Sequence, residues 1–176
     1  LVAGGLIGYV NNVAYIQNCF AQDIDIEIEN TLKTAYVGGL VGKFTGGLIE
    51  SSYSVGKIKT DATLGVGGIA GNSDWTIRKV YSMVDIENKF EYVGGIAGRI
   101  GSNPNKTLAL GNLYSNSTDN YIRRTSGNQV SSPTLNNYAY DNQLINGYVS
   151  DVYHGETEIS LEQLYIFSTY SVLITS

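Results

Sequence analysis

Apolar and acidic residues take strict turns in one short stretch of this chain: Ile24, Ile26 and Ile28 are separated by Asp25 and Glu27. Val84 and Ile86 flank Asp85 in the same way. A period of two predicts strands with one buried and one solvated face. Ahead of these segments stands an apolar string punctuated by glycine, and the chain writes it four times. The copies are Ala3-Gly4-Gly5-Leu6-Ile7-Gly8, Val37-Gly38-Gly39-Leu40-Val41-Gly42, Val66-Gly67-Gly68-Ile69-Ala70-Gly71 and Val93-Gly94-Gly95-Ile96-Ala97-Gly98. Their leading glycines, Gly4, Gly38, Gly67 and Gly94, step by 34, 29 and 27 residues. One string recurring at a period of roughly 30 residues means stacked supersecondary units.

A second column advances with the first. An aromatic followed by a small residue recurs as Phe20-Ala21, Tyr53-Ser54, Tyr81-Ser82, Tyr114-Ser115 and Tyr138-Ala139. The interval from the second glycine to the aromatic is nearly constant for Gly5 to Phe20, Gly39 to Tyr53 and Gly68 to Tyr81, and longer for Gly95 to Tyr114. The long fourth interval reads as an insertion over residues 99–106, and Tyr138 has no glycine string of its own. Each unit then predicts three short strands: the glycine string, the segment ending in the aromatic, and the alternating segment. Three strands in about 28 residues leave no room for helices and make one rung of a solenoid. The fold class expected is all-β, a right-handed parallel β-helix of about four to five rungs, with rungs ~4.8 Å apart. Equivalent residues would stack in ladders: Leu6, Leu40, Ile69 and Ile96 in one, and Phe20, Tyr53, Tyr81, Tyr114 and Tyr138 in the other.

Twelve of the 21 glycines stand at matched positions in the four strings. Paired glycines weaken a strand on entropy grounds, so their repetition points to close backbone approach. A phosphate-cradling loop needs Gly-x-Gly-x-x-Gly opening a helix, or a Gly-Lys-Ser/Thr ending, and neither is present.

The Val-Gly-Gly-Leu-Val-Gly string, followed half a unit later by Tyr-Ser, resembles the GLUG repeat of bacterial surface proteins. That family includes immunoglobulin A-cleaving metallopeptidases of Gram-positive bacteria and adhesin-like proteins. The resemblance covers residues 1–115 strongly and 116–150 weakly. It implies a β-helical module that is not itself catalytic, in a protein at the cell surface or secreted. A zinc peptidase domain would lie elsewhere in the parent, because no His-Glu-x-x-His occurs in this chain.

Composition narrows the partners. The net charge is −5 and only 15% of residues are charged, which is fewer than usual. The acidic balance argues against nucleic acid, which wants a basic stripe. No apolar run is long enough to span a membrane. The chain starts at Leu1, already within a repeat, and reads as a piece of a longer protein whose other domains are its nearest partners. The single cysteine, Cys19, precludes an internal disulfide. It fills the slot before the aromatic, matched by Ser52, Val80, Leu113 and Asn137, and reads as a small packed side chain.

Candidate chemistry is sparse. Asp23, Asp25, Glu27 and Glu29 form an acidic stripe that could hold a cation. The matching positions in later rungs are Lys57, Lys59, Asp85 and Glu87, so no acidic ladder builds and a solvated face is expected. Trp75 could be a sugar-stacking platform or a turn clamp; Tyr9, Tyr36 and Tyr92 could face outward. Loops over residues 99–137, with Arg123 and Arg124, are where binding would evolve on a solenoid. A degenerate end rung is the competing reading. His154 stands in Asp151-Val-Tyr-His-Gly-Glu156 without a second histidine, which is too little for a metal site. No Gly-x-Ser-x-Gly elbow accompanies it. A glycosidase needs a carboxylate pair flanking the bond, and no carboxylate recurs at stacked positions apart from Asp85 and Glu87 in register near Asp25 and Glu27.

Ser160-Leu161-Glu162-Gln163 has the capping-box pattern and predicts a short helix from Leu161 to about Phe167. That helix would close the open strand edges of the last rung. The domains expected are a solenoid over 1–150 and a cap over 151–176. The function expected is a spacer or scaffold without cofactor. The alternatives are a module binding a host protein or glycan through loops 99–137, and a lyase-like β-helix enzyme.

Overall fold

The computed structural model describes residues 1–29, 34–116, 121–128, 136–149 and 157–163. Three sheets wrap one core, and nearly all pairing is parallel. The first holds Val2–Gly4, Tyr36–Gly38, Gly65–Gly67, Val93–Gly94 and Ile122–Arg123. The second holds Ile7–Val10, Val41–Phe44, Ala70–Ser73 and Ala97–Ile100. The third is built around the long strands Gly47–Thr60 and Thr76–Asn88. The chain visits the sheets in turn and advances one rung per circuit, which is a parallel β-solenoid of about four turns.

The glycine strings stack as their spacing predicts. Gly4, Gly38, Gly67 and Gly94 are in register. The backbone N–H groups of Leu6, Leu40 and Ile69 donate to Leu40, Ile69 and Ile96 on the following rung at 3.0, 3.0 and 2.8 Å. Each string is a corner, however, not one strand. Its first half belongs to the first sheet and its second half to the second, with the bend at the second glycine and the apolar residue after it.

The corner explains why the two sequence columns travel together. A Cβ on Gly5 would meet Ala21, one on Gly39 would meet Ser54, one on Gly68 would meet Ser82, and one on Gly95 would meet Ala109. The interior is too narrow there for two side chains, so glycine on one wall requires a small residue on the other. Ser54 uses the contact, donating its hydroxyl to the carbonyl of Gly68 at 2.5 Å. Because the small residue faces inward, the aromatic before it faces outward (period two). Phe20 is exposed, and Tyr53, Tyr81 and Tyr138 are half-buried.

Three sequence expectations are corrected. Tyr114 does not join the aromatic ladder: it pairs with Glu87, and Leu108 takes the place between Tyr81 and Tyr138. Gly95 stands as far before Leu108 as Gly68 does before Tyr81. The apparent insertion over 99–106 vanishes with it, since Ile100 pairs with Ser73 and Asn105 with Arg78 at one constant offset. Thr107, not Leu113, is the counterpart of Cys19, Ser52, Val80 and Asn137. Cys19 itself is half-buried, with its thiol 3.2 Å from the Gln17 carbonyl.

A further corner carries no glycine at all. Asn18, Ser51, Lys79, Lys106 and Asn136 have φ of 54°, 50°, 51°, 54° and 65°, one per rung, each just before the slot that Cys19, Ser52, Val80, Thr107 and Asn137 share. Left-handed backbone costs a non-glycine residue on the order of 1 kcal/mol. Asparagine tolerates it best; at serine and lysine the stack on both sides holds it in place.

The core is a set of columns. Leu40, Ile69 and Ile96 are fully buried, as are Ile49 with Ile77, and Val37, Val66 and Val93. At the far end Leu144–Ile145 turns antiparallel to Tyr148–Val149 through Asn146-Gly147, both with positive φ, the residues such a two-residue hairpin favours. Thr157–Ile159 then adds a further strand beside Asn137–Tyr140. After it the capping box forms: the Ser160 N–H donates to Gln163 at 2.9 Å, and the Gln163 N–H donates to the Ser160 hydroxyl at 3.2 Å. Residues 161–163 are helical; the rest of the expected helix and His154 lie outside the described residues.

Candidate functional site

The outer face of the third sheet is laid out in columns, and its side chains are largely spent on one another. The rings of Phe20 and Tyr53 stack at 5.3 Å and 8°, those of Tyr53 and Tyr81 at 4.7 Å and 5°. Ring faces that cover each other are not available to a sugar; each such contact is worth ~1 kcal/mol beyond its area. Gln22 closes the edge by donating to the Tyr53 hydroxyl at 2.8 Å. Burial, and secondarily the neighbouring Tyr53, pushes the Tyr81 phenol above its ordinary value.

Two charged columns run beside the rings. Asp25, Lys57 and Asp85 are in register, as are Glu27, Lys59 and Glu87. Lys57 lies 3.3 Å from Asp25, and Lys59 lies 2.9 and 3.7 Å from Glu27 and Glu29. A hydrogen bond to Glu27 is the main reason the Lys59 ammonium is held above its usual value. The one lysine rung between the two acidic rungs keeps like charges from facing each other. Beyond Asp85 and Glu87 the columns continue as Asn112 and Tyr114, and the Asn112 N–H donates to Asp85 at 2.7 Å. The resulting depression, about 360 Å³ and wide open, is lined by Lys57, Lys59, Asp85, Glu87, Tyr114 and Leu144 among others. Among the described residues no three His, Cys, Asp or Glu gather as a metal would require.

At the αL corner Glu50 gathers three partners. Arg78 lies at 2.9 Å, Lys79 at 4.0 Å, and Gln17 donates at 3.1 Å. The Arg78 hydrogen bond is the chief cause holding this carboxyl below its ordinary value of 4.5. A depressed carboxyl contributes stability that is complete above the ordinary value and is lost as pH falls through it to the folded-state value. Glu50→Gln should therefore flatten the acid limb of the stability-versus-pH curve below about pH 4.5, with little change in slope between pH 6 and 8. Urea midpoints measured across that range check it.

Recognition-type side chains concentrate instead outside the first and second sheets. Tyr9, Lys43, Asn72 and Arg99 form one outward column. The Lys43 ammonium lies 5.6 Å from the Tyr9 ring centre and 5.5 Å from that of Tyr36. The Arg99 guanidinium sits 3.7 Å over Tyr92, whose ring tilts against Tyr121 at 4.6 Å. These are cation–π geometries. Tyr9 is exposed, whereas Tyr36 and Tyr92 are half-buried beneath the cations.

The residues singled out from sequence do not converge. Trp75 is exposed at the turn between the second and third sheets, where its carbonyl accepts from the Ser73 hydroxyl at 2.9 Å. Arg123 and Arg124 are not on a projecting loop. Ile122 pairs with Val93, Arg123 with Gly94, and Ser126 bridges Ala97. Ile122-Arg123-Arg124-Thr125-Ser126-Gly127 is thus the fifth glycine string with arginines in the Gly-Gly slots. The Arg124 side chain is buried and meets Glu158 at 2.6 Å. The expected loop surface over 99–137 is therefore, where described, regular rung backbone.

These features define a class: a glycine-cornered parallel β-solenoid with self-paired outer columns. No family model, curated protein or solved structure matches the chain.

Proposed function

We propose that this chain is a non-catalytic β-solenoid module of GLUG-repeat type, a rigid spacer or interaction scaffold in a bacterial surface or secreted protein. The observation that carries this reading is the self-pairing of the outer columns: rings lie on rings and lysines between carboxylates. A face whose polar and aromatic groups satisfy one another from rung to rung resists bending and offers little to a substrate. The GLUG assignment itself rests on the recurring string and its aromatic partner.

A second reading has its own observation. The column of Tyr9, Lys43 and Arg99, with Tyr36, Tyr92 and Tyr121 beside it, presents cations and rings together, which suits a glycan or a host protein. It replaces loops 99–137 as the surface to test. In the parent protein, replacing this module by an unrelated β-solenoid of equal length separates the two. The spacer reading expects adhesion or activity of the parent to persist. The binding reading expects its loss, reproduced by Lys43→Ala with Arg99→Ala.

A further inference from the structure

The glycines of each string answer to different neighbours. The second glycine senses the rung that follows: a Cβ on Gly39 would strike the Gly68 carbonyl, one on Gly68 that of Gly95, and one on Gly95 that of Arg124. The last glycine senses the rung that precedes. A Cβ on Gly42 would lie 2.5 Å from the Ala3 carbonyl and 2.7 Å from that of Gly8. One on Gly71 would lie 2.5 Å from the Val37 nitrogen and 2.6 Å from the Gly42 carbonyl, and one on Gly127 would lie 2.6 Å from the Gly98 carbonyl.

The end of the first sheet obeys this rule. Its last strand, Ile122–Arg123, pairs on one side with Val93–Gly94. The second-glycine slot is there released to Arg124, while Gly127, which must still clear the rung before it, is kept. At the opposite end the rule is broken. Gly8 has the slot of Gly42, Gly71, Gly98 and Gly127, yet a Cβ on it would meet a single atom, the Val2 carbonyl of its own rung, at 3.3 Å. Nothing described requires Gly8 to be glycine.

The same end leaves the interior columns open. Leu6 is 47% exposed, while Leu40, Ile69 and Ile96 of its column are 0%. Ile7, Val10 and Ile26 are half-buried where their mates Val41, Phe44 and Ile58 are buried. Phe20 shows a free ring face at the start of the aromatic stack. Among the described residues, the strands Val2–Gly4 and Ile7–Val10 each pair on one side only.

We infer that this N-terminal face is a docking surface for one more parallel β-rung of the same glycine-cornered type. Its backbone would pass over Gly8, an apolar residue would cover Leu6, and an aromatic would stack on Phe20. The surface is continuous with an interface the chain already forms between each rung and the next, and the retained glycine specifies a rung lying parallel.

The test adds the occupant. A duplicate of residues 36–63 is fused ahead of Leu1, which sets its Tyr36 as far before Val2 as Tyr36 of the chain stands before Gly65. The extended protein should melt about 5 °C or more above the original chain. Gly8→Val should lower the midpoint of the original chain by no more than about 2 °C, and that of the extended protein by about 5 to 10 °C. No rise in midpoint on extension, or an equal cost of Gly8→Val with and without it, would overturn the proposal. So would a dimer of the original chain, seen by sedimentation and abolished by Gly8→Val, since that face would then be filled by a second copy.

Discussion

Gly68→Ala should destabilise the chain by about 3 kcal/mol or more, one of the largest effects any single methyl can have here. The added carbon would run into the Ser82 hydroxyl on the facing wall and the Gly95 carbonyl on the next rung. The side-chain oxygen could rotate, but the carbonyl belongs to a hydrogen-bonded ladder held from both sides, because the Gly68 N–H donates to Gly94 at 3.2 Å and the Ile69 N–H to Ile96 at 2.8 Å. Backbone must therefore shift in two rungs at once. Gly147→Ala is the control: a Cβ there meets nothing within 4 Å, and only the left-handed φ of 81° resists it, at about 1 kcal/mol. Urea unfolding of both variants against the parent measures the difference. A Gly68→Ala cost no larger than that of Gly147→Ala would mean that the glycine column does not set the rung spacing.

Ile69→Ala should cost roughly 2–5 kcal/mol, and Leu6→Ala less than about 1 kcal/mol. The two side chains are isomeric and belong to one column, but Ile69 is fully buried and Leu6 is half-exposed at the open end. The central loss also leaves a cavity between Leu40 and Ile96, which keep their places. In a stacked array each rung is stabilised through its neighbours, so damage in the middle weakens two inter-rung contacts and damage at the end only one. Thermal midpoints of the two variants decide it. Equal costs would mean that the column is not continuous.

What the sequence disclosed follows from which constraints act within a rung and which act between rungs. The glycine string and the small residue after the aromatic were legible, because the narrow corner forces both in every unit. Period two around Asp25 and Asp85 gave the outward and inward faces. Leu108 was hidden because an outward slot needs only bulk, so a leucine interrupts the aromatic column without strain, and Tyr114 then mimicked the missing member. Arg123-Arg124 concealed the fifth string because the steric demand for glycine ends where, among the described residues, no rung follows in that sheet. The corner at Asn18, Ser51, Lys79, Lys106 and Asn136 has no residue type in common, since the stack imposes its φ. The contacts of Lys43 and Arg99 with tyrosines join different rungs or separate sheets, and no local pattern announces them.

Successive glycine strings lie in register, one rung apart, with the same hydrogen bonds repeated. Scalar couplings across hydrogen bonds, read by NMR on labelled protein, test it atom by atom. Couplings are expected from the amide nitrogens of Leu40, Ile69 and Ile96 to the carbonyl carbons of Ile69, Ile96 and Thr125, where the N···O distances are 3.0, 2.8 and 2.8 Å. Couplings from these amides to sequence-adjacent strands in an antiparallel pattern, with none to the next string, would contradict the solenoid.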